Sequence, residues 1–471
     1  MRAAQPAAAE TLPLSAGQES MWFAYTVQPD SSAYNVGIAV RVHGEMSIPS
    51  LLRAVAAVCG RHDLLRSVFT EVAGQPKRLV YPGTPAGLTV RDLGTAAEFA
   101  DAAREELRRP FRLRAEVPFR VGLLRAPGDG AVLLVSAHHI ITDADSQLFL
   151  LRDILESYLA IEAGEQPRWQ PLPCSYGDYV RAERELLASP QAAAHESFWR
   201  TACDGAQLAL ALPTDYDRPP AQRFAGAQYE FRLTEAQRAT VRTAARGMDV
   251  TIFSYLLGAF QALLYRYTAQ RDFLIGYVTT TRQRSTRQVV GYFINSLPIR
   301  AGIGPESTLR EIIAAASSGV RAGIAHRDFP LPRIAQALGA PRDPGRLSMF
   351  NVLFSMVVAY PPDPLFDLTS MGGELSYGEL TLTRFDIPQQ EGQFDVTVDM
   401  IESKSAITGV IKYNTDLFAP EKIETLGGHF VRMLMAAAED PDGPVAGVCL
   451  VDQAEQAELL ALASGTSMRD Y

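Results

Sequence analysis

Short apolar runs alternate with helical segments in the first part of the chain. Residues 34–44, 119–126 and 130–137 have the apolar content and length of β-strands. In residues 47–62 and 145–164, apolar positions recur every three to four residues, as on one face of an amphipathic helix. The pattern therefore predicts a mixed α/β fold.

A second series of the same kind begins after residue 226. The elements predicted in it are helices at 251–270, 308–328 and 419–440, and strands at 272–281, 350–358, 393–401 and 407–415. Between the two series, predicted helices lead into residues 212–226, which are rich in Pro and Asp and typical of a loop or linker. We therefore predict an N-terminal lobe at residues 1–178 and a C-terminal lobe at residues 179–471.

Composition excludes several classes of protein. The 471 residues are 47% hydrophobic, enough for a sizeable core, yet no run reaches eighteen apolar residues and no secretory signal is recognisable. We expect a cytoplasmic protein with no membrane association. The net charge of -9 argues against nucleic-acid binding. Residues 108–120 are rich in arginine, but interleaved apolar residues indicate a solvated face followed by a strand.

Most familiar catalytic motifs are absent from the sequence. It contains no GxSxG, no GKS or GKT phosphate loop, no HExxH and no GxGxxG after a strand. The four cysteines show no CxxC spacing, which favours free thiols over a disulfide framework or a zinc site; they are Cys59, Cys174, Cys203 and Cys449. Few candidates for catalysis therefore remain.

Two adjacent histidines are the main candidates. His138 and His139 stand at the end of an apolar strand, and Asp143 follows four residues later. Side chains alternate across a strand, so the two rings should point to opposite sides and only one can face a given cavity. We interpret His138 as a hydrogen-bonded core residue and His139 as a neutral imidazole that accepts or guides a proton. A metal site of two histidines and a carboxylate is the rival interpretation, which the opposed faces disfavour.

The segment HHIITDA resembles the HHxxxDG signature of nonribosomal peptide condensation domains. Other segments resemble motifs of that family in the same order; they are LSAGQESMWF (14–23), RHDLLRSVF (61–69), YGDYV (176–180), VVGYFINSLPIR (289–300), HRDFPL (326–331) and RDPGRLSMFNVLFSM (342–356). The resemblance thus extends over nearly the whole chain.

The resemblance implies a pseudodimer of two chloramphenicol-acetyltransferase-like lobes, arranged as a V with a tunnel at their junction. Carrier proteins present phosphopantetheine thioesters at one face, and the acceptor enters from the other. No cofactor is bound intrinsically, and no metal is expected. In this family the second histidine, here His139, orients the nucleophile or accepts its proton, and His138 supports the motif.

The resemblance also assigns supporting residues. Asp143 pairs with an arginine of the second lobe, and Arg282 occupies the matching position; Asp143 is also suited to cap the helix that follows. Ala144 departs from the family's usual glycine, which would matter only if that glycine needs a positive φ or close approach of substrate. We favour a harmless helix start. The residues expected to line the tunnel are Ala144, Asn295 and Ser296.

The expected function is that of an acyltransferase, a free-standing condensation enzyme. The motifs of heterocyclisation, epimerisation and coenzyme A-dependent relatives are absent. Little sequence precedes the first motif and only residues 441–471, ending in LLALASGTSMRDY, follow the last predicted helix, so we expect a donor peptidyl carrier protein to act in trans. The chain is similar to free-standing members, including those that join a carrier-bound amino acid to an alcohol of an enediyne core. Ester formation with a small alcohol is favoured over amide formation with an amine; the alternative is a noncatalytic docking protein.

Overall fold

A computed structural model describes residues 10–83, 87–340, 349–358, 363–387, 393–403 and 406–451. Its strands are β1 (Glu10–Pro13), β2 (Asn35–His43), β3 (Ser67–Val72), β4 (Gln75–Val80), β5 (Leu88–Asp92), β6 (Phe119–Arg125), β7 (Ala131–His138), β8 (Gly226–Arg232), β9 (Asp272–Thr280), β10 (Ile294–Gly302), β11 (Val352–Val358), β12 (Glu374–Tyr377), β13 (Leu380–Arg384), β14 (Val396–Glu402) and β15 (Ile407–Asn414). Its α-helices are α1 (Ala16–Val27), α2 (Ile48–Arg61), α3 (Phe99–Arg108), α4 (Ala144–Glu162), α5 (Tyr176–Ala188), α6 (Pro190–Cys203), α7 (Glu235–Gly247), α8 (Ile252–Thr268), α9 (Leu309–Ile324), α10 (Leu331–Ala337), α11 (Pro364–Met371) and α12 (Pro420–Glu439).

Two six-stranded sheets organise the chain into two lobes. The first lobe is built on the order β12-β13-β2-β7-β6-β5, and the second on β10-β9-β11-β14-β15-β8. A small sheet, β1-β4-β3, contributes Phe69 of β3 to the core of the first lobe. In the described residues every strand and helix predicted from the apolar pattern is present, with ends shifted by a few residues. The last predicted motif, RDPGRLSMFNVLFSM, begins outside the described residues, and both chain ends lie outside them too.

Strand β7 carries the histidines and is covered on both faces. All eight of its residues are buried. Leu133 and Val135 face the main core of the first lobe, whereas Val132 and Leu134 face a smaller core closed by α3. Removal of apolar surface from water on both faces stabilises this strand. The end of β7 is therefore a rigid support for the residues that follow it.

Helix α4 begins directly after the histidine segment because Asp143 caps it. The Asp143 side chain accepts a hydrogen bond from the Ser146 amide, and the helix packs its apolar face on α2. His139–Ile141 form a single 3-10 turn between β7 and this cap. The end of β7, the 3-10 turn and the start of α4 thus fix the backbone of the HHIITDA segment.

The second half of the chain returns twice to the first lobe. Strands β12 and β13 extend the first sheet through pairing of β13 with β2. The segment between β9 and β10 also places Val289, Val290 and Phe293 in the core of the first lobe. Sheet membership therefore crosses the predicted division at residue 178, and the boundaries of the two domains stay a prediction.

In the described part of the chain, one helix pair meets the length and composition of a membrane span. Among the described helices, no single one is both long and apolar enough to cross a bilayer. Helices α7 and α8 reach that length and composition only together, across a bend of 99°.

Candidate active site

His138 is held inside the first lobe. Its side chain is 4% exposed, and its Nδ1 accepts a hydrogen bond from the Ile140 amide at 3.1 Å. Burial, together with the smaller effect of the neighbouring His139, lowers the pKa of His138 to about 3. The ring is therefore neutral and its Nδ1 holds the next turn, and a structural role for His138 stays a prediction.

His139 has a defined tautomer. Its Nδ1 lies 2.7 Å from the Thr142 carbonyl oxygen, which can only accept, so Nδ1 carries the proton. The neutral ring therefore presents an unprotonated Nε2. Burial lowers the pKa of His139 below the ordinary 6.5, against the opposing effects of the Thr142 carbonyl and the Asp143 carboxylate. His139 is thus neutral at pH 7, with Nε2 in the unprotonated state.

The turn that carries His139 is held by helix α1. Gln18 is fully buried, and its Nε2 donates to the Ile140 carbonyl at 2.9 Å. The Gln18 Oε1 accepts from the Ser15 amide, completing a capping box at the start of α1. The backbone amide of His139 also donates to the Tyr34 carbonyl at 2.7 Å. The LSAGQESMWF segment therefore positions the histidine turn.

Tyr292 closes the other side of His139. The two rings meet edge to face, with centroids 5.3 Å apart and planes at 81°. Gly17 allows this arrangement, because a Cβ at that position would lie 2.5 Å from Tyr292 Cε1. Glycine is needed here for close approach to an aromatic ring.

Replacement of Gly17 by alanine is expected to displace the Tyr292 ring. Overpacking of this kind costs about 1–3 kcal/mol, and we expect acyl transfer to slow because the displaced ring contacts His139. Thermal unfolding and steady-state transfer rates test this. The matched control is Gly60→Ala, where a Cβ would meet no atom within 4 Å inside α2, and which should be neutral or stabilising by up to about 1 kcal/mol. Equal behaviour of the two variants would contradict the close-approach account.

Asp143 and Arg282 meet between the lobes. Arg282 Nη2 lies 2.8 Å from Asp143 Oδ1, and the two side chains are 6% and 1% exposed. The predicted contact is therefore confirmed, as is the expected helix cap. The other carboxylate oxygen of Asp143 accepts from the Phe293 amide at 3.1 Å. The Asp143 carboxylate thus joins the start of α4 to Arg282 and Phe293, which lie at the two ends of the segment between β9 and β10.

Ser146 and backbone carbonyls complete this junction. The Ser146 Oγ donates to the Gly291 carbonyl and accepts from the Gly291 amide, both at 3.0 Å. Arg282 Nη1 donates to the Thr286 and Val289 carbonyls, and its guanidinium lies 4.3 Å from the centroid of the Phe293 ring. Both Arg282 Nη atoms therefore have partners, whereas its buried Nε has no hydrogen bond to a described residue and lies 3.4 Å from Asp145 Oδ2.

The three residues expected to line a tunnel differ in their surroundings. Ala144 is the exposed first residue of α4 and is absent from the described residues with positive φ, so alanine fits there without backbone strain. Asn295 uses its amide to hold residues 327–331, donating to the Arg327 and Phe329 carbonyls and accepting from the Leu331 amide. Ser296 is half-buried in β10. A role in lining a substrate path stays a prediction for all three.

A polar group of the second sheet also influences His139. Lys412 on β15 forms an ion pair with Asp399 on β14 at 3.0 Å, and Asp399 accepts from Ser355 on β11. The Lys412 charge contributes to lowering the pKa of His139. Sequence reasoning missed this group, together with Gly17, Gln18 and Tyr292.

Comparison with known proteins places the chain in a family. The Condensation domain family model matches residues 8–460, so the chain belongs to that family. Malpinin synthetase of Mortierella alpina is 31% identical over 460 residues, which cover 95% of this chain and 6% of that protein. The isonitrile lipopeptide synthase of Mycobacterium tuberculosis is 30% identical over 473 residues, with 97% and 18% covered. The chain thus spans only a small fraction of the length of the curated relatives that it matches.

Solved structures confirm the fold. A four-domain nonribosomal peptide synthetase, holo-AB3403, matches with a TM-score of 0.87 at 22% identity, covering 97% of this chain and 35% of that one. The X-domain complexed with OxyB from teicoplanin biosynthesis gives 0.83 at 23%, with 96% and 98% covered. SgcC5 of Streptomyces globisporus gives 0.74 at 24%, with 92% and 100% covered. The protein therefore has the α/β fold of two chloramphenicol-acetyltransferase-like lobes.

Proposed function

We propose that this protein transfers an aminoacyl or acyl group from a carrier-bound phosphopantetheine thioester to a hydroxyl or amine acceptor. The observation that carries the proposal is the tautomer of His139. The Thr142 carbonyl fixes the proton on Nδ1, which leaves Nε2 free to accept the proton of a nucleophile. Membership of the Condensation domain family supports the same reaction class.

The chain's residues contribute positioning and proton transfer. The nucleophile of the acceptor attacks the thioester carbonyl while His139 Nε2 takes its proton or orients it. The sulfur of phosphopantetheine then leaves and is protonated. Holding the thioester beside the acceptor between two lobes removes part of the entropic cost of a bimolecular reaction.

We further propose that the donor arrives on a peptidyl carrier protein in trans and that the acceptor is a diffusible alcohol. Support comes from SgcC5, whose structure is a complex with a naphthyl-substituted 1,2-ethanediol. An alcohol needs a base more than an unprotonated amine does, and His139 is neutral at pH 7 because burial lowers its pKa. Ester formation is therefore favoured over amide formation.

A noncatalytic docking function is the second candidate. The X-domain structure is a complex with OxyB, which shows that this fold can hold a partner protein. The presence of both histidines and Asp143, together with the single tautomer of His139, favours catalysis over docking.

The acceptor class is tested with one donor and two matched acceptors. An aminoacyl-loaded carrier is presented with a 1,2-diol or with the amino alcohol of the same skeleton, and products are identified by mass. We expect an ester from the diol without a second carrier protein. Formation of the amide alone, or a strict requirement for an acceptor on a second carrier protein, would contradict ester formation but still support acyl transfer. The absence of product from either acceptor would favour docking.

A further inference from the structure

The backbone around Tyr292 is fixed by the lobe junction. The amides of the residues before and after it donate to Ser146 Oγ at 3.0 Å and to Asp143 Oδ2 at 3.1 Å. Its own carbonyl accepts from the Tyr176 hydroxyl at 3.0 Å. Three consecutive residues are therefore tied to the first lobe, and Tyr292 cannot move without loss of buried hydrogen bonds.

The ring of Tyr292 is also fixed. It lies over Gly17, where no Cβ intervenes, and it meets the His139 ring edge to face at a centroid distance of 5.3 Å. The phenol oxygen is bonded to this ring, so its position relative to His139 is fixed as well. The arrangement is that of a preorganised group, whose position costs no reorganisation during reaction.

The hydroxyl of Tyr292 has no hydrogen-bond partner among the residues that the structure describes. Burial raises the pKa of this phenol well above 10, and the nearby Tyr34 and Asp143 raise it further. The group therefore remains protonated at working pH. It can donate a hydrogen bond to an oxygen that gains negative charge, and it is unsuited to act as a base.

We propose that Tyr292 is an oxyanion-stabilising catalytic residue that donates its hydroxyl hydrogen bond to the thioester carbonyl oxygen. This inference rests on the proposed acyl transfer. When the acceptor atom bonds to the carbonyl carbon, the C=O π electron pair moves to oxygen and His139 takes the acceptor's proton. Collapse re-forms C=O, expels the phosphopantetheine thiolate and returns that proton to sulfur. The phenol keeps its own proton throughout.

The test is Tyr292→Phe, which removes one oxygen and keeps the ring against Gly17 and His139. Loss of one oxyanion donor lowers kcat by about 10²–10³, and we expect that fall with little change in KM or in the midpoint of thermal unfolding. The matched control is Tyr229→Phe, a half-buried tyrosine of β8 outside the site, which should retain wild-type kcat. Tyr292→3-fluorotyrosine keeps the hydroxyl and should retain most of kcat.

Each outcome decides the inference. Wild-type kcat in Tyr292→Phe, or a rise of KM at unchanged kcat, would overturn it. If Tyr292→Phe unfolds early, the comparison of 3-fluorotyrosine with wild type decides, because a large loss of kcat with the hydroxyl present would also overturn it. Inactivity of the wild-type protein with every acceptor would instead count against the proposed function.

Discussion

Replacement of His139 by alanine is expected to leave a folded protein whose acyl transfer is about 10² to 10⁴ times slower, the usual contribution of a positioned proton acceptor. The side chain lies beyond the end of β7 and its Nδ1 bonds only to the local Thr142 carbonyl, so its removal spares the core. Steady-state kcat/KM with a carrier-bound donor measures the loss. Wild-type turnover by a soluble variant would remove His139 from the mechanism.

Two variants at other histidines serve as controls for His139→Ala, and a pH profile gives an independent test. His43→Ala alters an exposed histidine at the end of β2 and should keep wild-type activity. His138→Ala should lower stability as well, because the buried Ile140 amide loses its acceptor.

Since the pKa of His139 lies below 6.5, kcat/KM should be level around pH 7 and fall only at lower pH, where the ring is protonated. The His139→Ala variant should lack that fall.

The second large effect is expected at the ion pair between the lobes. Loss of one partner of a buried pair costs about 3–5 kcal/mol, because the remaining charge is stranded. The cost of Asp143→Ala should be near the upper end of this range, since the change also removes the cap of α4 and the acceptor for the Phe293 amide. Arg282→Met should be milder, because Asp143 keeps two amide donors. Urea unfolding of both variants measures these costs.

A double-mutant cycle isolates the pair. Asp143→Ala combined with Arg282→Met should cost less than the two single changes added together, with a coupling of about 0.5–3 kcal/mol. The control cycle uses Asp272 and Arg300, a bidentate pair that is 41% and 39% exposed, where coupling should stay below about 1 kcal/mol. Strict additivity at Asp143 and Arg282 would show that the contact does not stabilise the lobe junction.

Local features of the site can be predicted from the sequence because they depend on neighbours in the chain. The apolar run before His138 predicts a strand covered on both faces, and β7 has that environment. Asp143 three residues before Ser146 predicts a helix cap, which is present. The pairing of Asp143 with Arg282 is accessible only through resemblance, since 139 residues separate the partners.

Other features require the fold. Gln18 donates a hydrogen bond to a carbonyl 122 positions away, and Gly17 contacts Tyr292. The spacing of residues along the chain does not indicate such contacts. Strands β12 and β13 are short and mostly half-buried or exposed, so their apolar pattern is too weak to predict that they join the first sheet. Gly17 and Gln18 lie in a segment that resembles a motif of the family, but that resemblance does not indicate their contacts.

Acyl transfer from a carrier is the central claim, and single-turnover discharge tests it most directly. A carrier protein loaded with an aminoacyl-phosphopantetheine thioester is mixed with excess protein, quenched at intervals and weighed intact by mass spectrometry, with and without the diol acceptor. We expect the wild-type protein to discharge the carrier only when the diol is present, with the lost acyl mass recovered in the acceptor as an ester. A carrier that stays loaded with both acceptor and protein present, or that discharges equally without the protein, would contradict the account.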